Sequence, residues 1–199
     1  MTIVTPVVEV AGLDRPPWPI AAMAPYSWLP LTAGTSPPEA ALFTALLADY
    51  LGHSGTGTDT VIDGLAAEEK LILPGGLRFR DETTRAEVVP GCCGGLEDWR
   101  DWETVTEGGR VWLGHDPAPS VERDGETLRL RQDEGSDTVV EFRLAELPAL
   151  LAGAERDLAG FLAALRAWAG TVTSPARADA LAFAVDRDFR ITPPTAHHR

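Results

Sequence analysis

Thr127-Leu128-Arg129-Leu130-Arg131 and, after one short polar connection, Val139-Val140-Glu141-Phe142 decide the fold class. Leu128, Leu130, Val140 and Phe142 alternate with charged or polar residues. Successive strand side chains point to opposite faces, so this period of two predicts a sheet with one buried and one wet face. The connection is too short for a parallel crossover, which makes the pair antiparallel. Working upstream, Leu71 to Leu73, Leu77 to Arg80, Ala86 to Val89, Val111 to Leu113 and Val121 to Arg123 read as further short strands. Pro74-Gly75-Gly76 and Asp81 to Arg85 supply turns between them.

Helical patterns flank this β-rich middle. Ser36-Pro37-Pro38-Glu39 reads as a helix start, with Ser36 accepting from first-turn amides and Glu39 reaching back. Leu42, Phe43, Leu46, Leu47, Tyr50 and Leu51 follow at spacings of three and four, with Gly52 as the stop. Polar, glycine-containing His53 to Asp63 reads as a loop. A short helix is expected from Leu96 to about Val105. Beyond the sheet, Leu147 to Trp168 keeps helical spacing, although Gly153 and Gly160 weaken it by about 1 kcal/mol each relative to alanine. Ser174-Pro175 opens a last helix.

Residues 1–35 contain Pro6, Pro16, Pro17, Pro19, Pro25 and Pro30 among Trp18, Tyr26 and Trp28. Prolines oppose helix and central strand, so this stretch reads as an extended arm packed over the domain, its first fifteen residues a loose tip. The expected architecture is α+β: a central antiparallel sheet, with an N-terminal helix and two C-terminal helices packed on it, formed by residues 36–191. Residues 192–199 are expected to fray.

Charge and length narrow the function. The 199 residues hold 30 Asp and Glu against 17 Lys and Arg, a net charge of -13. Phosphate neutralisation needs clustered cations, and here Lys70 is the single lysine, so nucleic acid is excluded as a partner. An acidic surface instead steers toward a basic partner. No apolar run reaches the roughly 20 residues that span a bilayer, so no membrane role is expected. The start Met1-Thr2-Ile3-Val4-Thr5-Pro6 lacks the basic and long apolar regions of a signal peptide, and two adjacent cysteines are no disulfide framework. Both point to the cytoplasm. The excess of arginine over lysine, with many alanines, fits a GC-rich bacterial genome.

Candidate chemistry gathers in Val89-Pro90-Gly91-Cys92-Cys93-Gly94-Gly95-Leu96-Glu97-Asp98-Trp99-Arg100-Asp101-Trp102 and in Val111-Trp112-Leu113-Gly114-His115-Asp116-Pro117. Adjacent cysteines on an extended segment face opposite ways, so one sulfur should be buried and one presented. The first reading is therefore of packed thiols, with no catalytic residue, metal or cofactor. Two alternatives stay open. Cys93, ahead of a helix, could act as a nucleophile with His115 as base, although Glu97 and Asp98 in the first turn oppose a thiolate there. Alternatively Cys92, Cys93, His115 and Asp116 could ligate a metal, although zinc sites usually draw on cysteines spaced by two to four residues. His115-Asp116-Pro117 reads first as a turn. Trp99 and Trp102, three apart and alternating with Asp98 and Asp101, could either lock the helix onto the sheet or, with Trp112, form an acid-rimmed binding surface. No Gly-x-Ser-x-Gly, His-Glu-x-x-His or dinucleotide signature occurs.

In size, acidity and helix-sheet-helix order, the span from Ser36 to Arg190 resembles the small α+β immunity proteins of bacterial polymorphic-toxin systems. No diagnostic motif is shared, so the resemblance transfers no functional residue. It implies a non-enzymatic protein that binds a basic protein such as a toxin, and it leaves the oligomeric state open.

Overall fold

In the computed structural model, which describes residues 1–13, 16–53, 55 and 57–193, the chain opens on a strand that its own proline disguises. β1 (Thr2–Glu9) lies inside a four-stranded antiparallel sheet, between β2 (Trp28–Pro30) and β3 (Gly75–Asp81). Thr2 is opposite Asp81, and Val8 faces Leu29 on one side and Gly75 on the other. The loose tip expected for the packed N-terminal arm is thus corrected: residues 2–9 form a strand. β-Branched Val4, Val7 and Val8 are buried and favour the pleat. Pro6 is tolerated because its carbonyl accepts from Leu31 N–H just past the end of β2. Its missing donor faces that same side, at the last bond of the short β1–β2 pairing.

α1 (Pro37–Tyr50) is buried on all sides from Ala40 to Ala48 rather than along one stripe. Its start is closed by Glu39, whose carboxylate accepts from both the Ser36 N–H (2.7 Å) and the Ser36 hydroxyl (2.6 Å). The expected capping box of Ser36 and Glu39 is present, and the Ser36 hydroxyl also donates within it. Trp18 is buried over this helix and donates from Nε1 to the Ala41 carbonyl at 3.0 Å.

A second correction follows at α2 (Thr58–Ala67), which occupies part of the expected His53 to Asp63 loop. Val61, Ile62 and Leu65 are buried, while Asp59 and Asp63 receive Arg177 from α4 (Pro175–Asp188) at 3.1 and 2.8 Å. The polar opening turn that read as loop is thus held by a distant arginine. Leu71 to Leu73 forms no strand, although Leu71 and Leu73 are buried. Its backbone is satisfied from elsewhere: Leu71 N–H donates to the Asp188 carboxylate at 2.8 Å, and the Leu73 carbonyl accepts from Leu96 N–H. Burial pushes the Asp188 carboxyl up, but Arg187 and this amide outweigh it and hold it below the usual range.

After β4 (Glu87–Val88) the chain forms a 3-10 helix, Leu96–Glu107. Leu96, Trp99, Trp102 and Val105 are its buried residues, each three positions from the last. At three residues per turn these four stack in one line, whereas at 3.6 Leu96 and Val105 would lie about 180° apart. The spacing of the apolar residues therefore selects the tighter helix.

β5 (Ser120–Asp124), β6 (Thr127–Arg131) and β7 (Val139–Arg143) make a second, three-stranded antiparallel sheet. Leu128, Leu130, Val140 and Phe142 face the core, and Arg129 pairs with Glu141 across the wet face. Phe79 joins the layers, its ring 4.5 Å from Trp102 and 5.7 Å from Phe142. Gln132 adds a polar tie, accepting from Val89 N–H at 2.7 Å and donating to the Val89 carbonyl at 3.3 Å.

α3 (Leu147–Val172) and α4 close the core, with Phe161 against Phe43 at 4.7 Å and Ser174 capping α4. α3 is unbroken despite Gly153 and Gly160, and these two differ physically. A Cβ on Gly160 would sit 2.5 Å from the Ala33 Cβ, whereas one on Gly153 would approach only the far end of Arg156 at 3.9 Å. Gly153→Ala is expected to raise stability by about 1 kcal/mol. Gly160→Ala is expected to lower it by about 1–3 kcal/mol through overpacking. Urea unfolding of the two variants checks the opposite signs. The fold class is α+β, and no helix among the described residues is long and apolar enough to cross a membrane. Residues 194–199 of the expected frayed tail lie outside the described residues.

Candidate functional site: a paired-thiol turn

Gln132 holds the backbone of Val89 one residue before Pro90, and from there the chain makes a tight turn. Gly94 N–H donates to the Gly91 carbonyl at 3.1 Å, so Cys92 and Cys93 are the two central residues. A second segment runs antiparallel against it: Gly91 N–H donates to the Leu113 carbonyl at 2.7 Å and His115 N–H to the Cys92 carbonyl at 2.9 Å. The expected strand Val111 to Leu113 is replaced by this short two-bond contact. Glycine at 114 makes the contact possible, since its φ is 91° and a Cβ there would overlap the Gly91 carbonyl.

The turn overturns the expectation of one buried and one presented sulfur. Cys93 has a φ of 65°, so the two side chains do not alternate as in a strand. Both cysteines are exposed free thiols with their sulfurs 3.6 Å apart. His115 joins them, and one ligand atom from each of Cys92, Cys93 and His115 lies within 4.8 Å of the others. Among the described residues no other set of three His, Cys, Asp or Glu side chains converges in this way. Asp116 is outside this set. Its carboxylate meets His115 Nδ1 at 3.2 Å, where it can orient the imidazole.

The electrostatics follow from crowding. The Cys92 thiol is pushed above its ordinary value, first by its contact with Cys93 and that neighbour's charge, then by partial desolvation and by the carboxylates of Glu9 and Asp116. Glu9 was not among the expected site residues, because it sits at the end of the strand that Pro6 disguised. β-Branched Ile3, Val4, Thr5, Val7 and Val8 around Pro6 were the signal that could have found the strand.

Cys93 occupies a turn position with positive φ, which glycine or asparagine normally fills and which costs another residue about 1–2 kcal/mol. Of five non-glycine residues with positive φ among those described, Cys93 belongs to the convergent set and Asp116 adjoins it through His115. Strain of this kind concentrates at working sites. Cys93→Gly is accordingly expected to be more stable than Cys93→Ala by about 1 kcal/mol, because only glycine relieves the backbone. Equal midpoints in chemical denaturation would show that the turn is unstrained.

Of the two readings of Trp99 and Trp102, the helix locked onto the sheet is the one seen, and the acid-rimmed surface does not form. Trp99 and Trp102 are buried, with Trp99 Nε1 donating to the Phe189 carbonyl at 2.7 Å and Arg100 stacked 4.3 Å from the ring. Asp98 is half-buried, and Asp101 is engaged by Arg190 at 2.9 Å. Of the five residues expected to bind, Trp112 alone is a large exposed apolar side chain, 61% accessible and three positions from His115. No protein-family model, curated protein or solved structure matches the chain.

Proposed function

We propose that this protein binds a thiophilic divalent cation of the zinc type through Cys92, Cys93 and His115, in an exposed site suited to exchanging the ion. The observation that carries the reading is the convergence of two sulfurs and an imidazole within 4.8 Å. Tetrahedral zinc with bonds to sulfur of about 2.3 Å holds two sulfurs about 3.8 Å apart. A linear two-thiolate ion with the same bond length would need roughly 4.6 Å. The 3.6 Å separation favours the tetrahedral case. Two thiolates with a neutral imidazole balance a divalent charge. Three protein ligands leave a fourth position for water or an incoming ligand, unlike the closed four-ligand set of a structural zinc site. Free thiols on the surface belong with a reducing, cytoplasmic setting, which is part of the proposal.

Titrating the reduced protein with cobalt(II) tests this. One equivalent should produce thiolate-to-cobalt charge-transfer and tetrahedral d–d absorption that zinc displaces. Cys92→Ser and Cys93→Ser should each lose the charge-transfer intensity of one sulfur, and His115→Ala should weaken binding. A spectrum of hydrated cobalt alone, or an unchanged spectrum in the doubly serine-substituted protein, would end the proposal.

A second reading is that the protein acts on a basic protein partner, as an inhibitor or immunity protein acts on a toxin. The net charge of -13 and the exposed Trp112 beside the turn favour it. It requires a complex with a basic protein that weakens with added salt and with Trp112→Ala; a complex indifferent to both would exclude this surface.

A further inference from the structure

We infer that Cys92 and Cys93 are also a redox modification site: an oxidant of the low-molecular-weight disulfide class joins them to each other, and the closure withdraws both sulfur ligands from the metal site proposed above, on which the inference rests. The sulfurs are already 3.6 Å apart, side by side and exposed, and must approach only to about 2.05 Å. The left-handed φ of Cys93 has brought them to one side of the turn.

The same geometry makes the bond reversible. The Cys92–Cys93 peptide is trans, which fixes the two Cα atoms about 3.8 Å apart. Unstrained disulfides keep their Cα atoms about 4.4–6.8 Å apart. A disulfide between these neighbours is therefore strained, and strained disulfides are the readily reduced, regulatory kind. Chemically, one cysteine thiolate attacks a sulfur of the oxidant, breaking its S–S bond and releasing one thiol. The second thiolate attacks the resulting mixed disulfide at the protein sulfur and releases the second thiol. Two electrons pass from the cysteines to the oxidant, and the two thiol protons of the protein end on the two released thiols.

The full-length reduced protein, stripped of metal, is treated with oxidised glutathione and divided for intact-mass analysis and cobalt titration. The expected product is lighter by two hydrogens, maps to a single Cys92–Cys93 peptide, shows no thiolate-to-cobalt absorption, and regains it on reduction. In Cys92→Ser and Cys93→Ser the remaining thiol cannot be resolved internally, so each should keep one attached glutathione. His115→Ala should still close its disulfide while binding cobalt weakly. A wild-type protein that stays glutathionylated, or forms disulfide-linked dimers, overturns the modification. A closed form that binds cobalt as the reduced form does overturns the control of the metal while leaving the metal site standing. A reduced protein that closes readily but never binds cobalt rejects the metal site, and the control with it.

Discussion

Trp99→Ala is expected to lower the free energy of unfolding by about 4 kcal/mol, while the same truncation at Trp112 is expected to cost less than about 0.5 kcal/mol. The chemistry of the two changes is identical, so the difference measures position alone. Trp99 is 1% exposed, on the buried line of the 3-10 helix. Its removal leaves a large cavity and also strips the Phe189 carbonyl of the indole N–H that satisfies it. Phe189 packs 6.1 Å from Phe43, so the damage extends from the 3-10 helix to α1 and the end of α4. Trp112 has no comparable burial, and its loss removes contact area that water already reaches. Urea unfolding followed by circular dichroism gives both values; similar midpoints would mean that the 3-10 helix is not docked as described. Trp99→Ala is for this reason unsuitable as a probe of binding. Trp112→Ala is suitable, because the fold should survive it.

The elements that were legible in the sequence were those governed by local periodicity. Alternation in β6 and β7 located a two-faced sheet, and the long spacing of leucines located α3. Elements whose stability comes from remote partners were not legible. α2 begins with Thr58-Asp59-Thr60, a polar turn whose carboxylate at 59, with that of Asp63, is gathered by Arg177 more than one hundred positions away. β1 carries a proline, and its placement inside the sheet depends on where β2 ends, which nothing in Thr2 to Glu9 encodes. The period of three in Leu96, Trp99, Trp102 and Val105 was present to be read, and it decides between burial and exposure of the tryptophans.

At the site, the residue types were legible but their geometry was not. Cys92, Cys93 and His115 were recognisable as possible ligands, yet a strand-like backbone would have separated the two sulfurs. The positive φ of Cys93 changes that result. A cysteine in a position that favours glycine carries no local signal; the turn exists because the segment from Leu113 to His115 pairs with it. The chemistry therefore depends on how closely two backbones approach.

Gly114→Ala tests that dependence most sharply. Gly114 has a φ of 91°, and an added Cβ would overlap the Gly91 carbonyl and lie 2.6 Å from the Cys92 oxygen. Backbone strain alone accounts for about 1–2 kcal/mol. The overlap cannot be relieved by a side-chain rotation, because both obstructing oxygens belong to the main chain. The two segments must move apart, and the His115 N–H bond to the Cys92 carbonyl must lengthen or break. The expected result is a loss of about 3 kcal/mol of stability, combining strain with overpacking. Cobalt affinity should fall at least about tenfold, equivalent to about 1.4 kcal/mol, as the imidazole leaves the two sulfurs. Gly108→Ala supplies the control. Gly108 has a φ of 86°, nearly the same, but nothing lies within 4 Å of its Cβ position. It should show the backbone cost without the overlap and leave cobalt affinity unchanged. If Gly114→Ala binds cobalt as tightly as the unaltered protein, the paired backbone does not organise the ligands. The ion would then be held by Cys92 and Cys93 alone, with His115 a bystander.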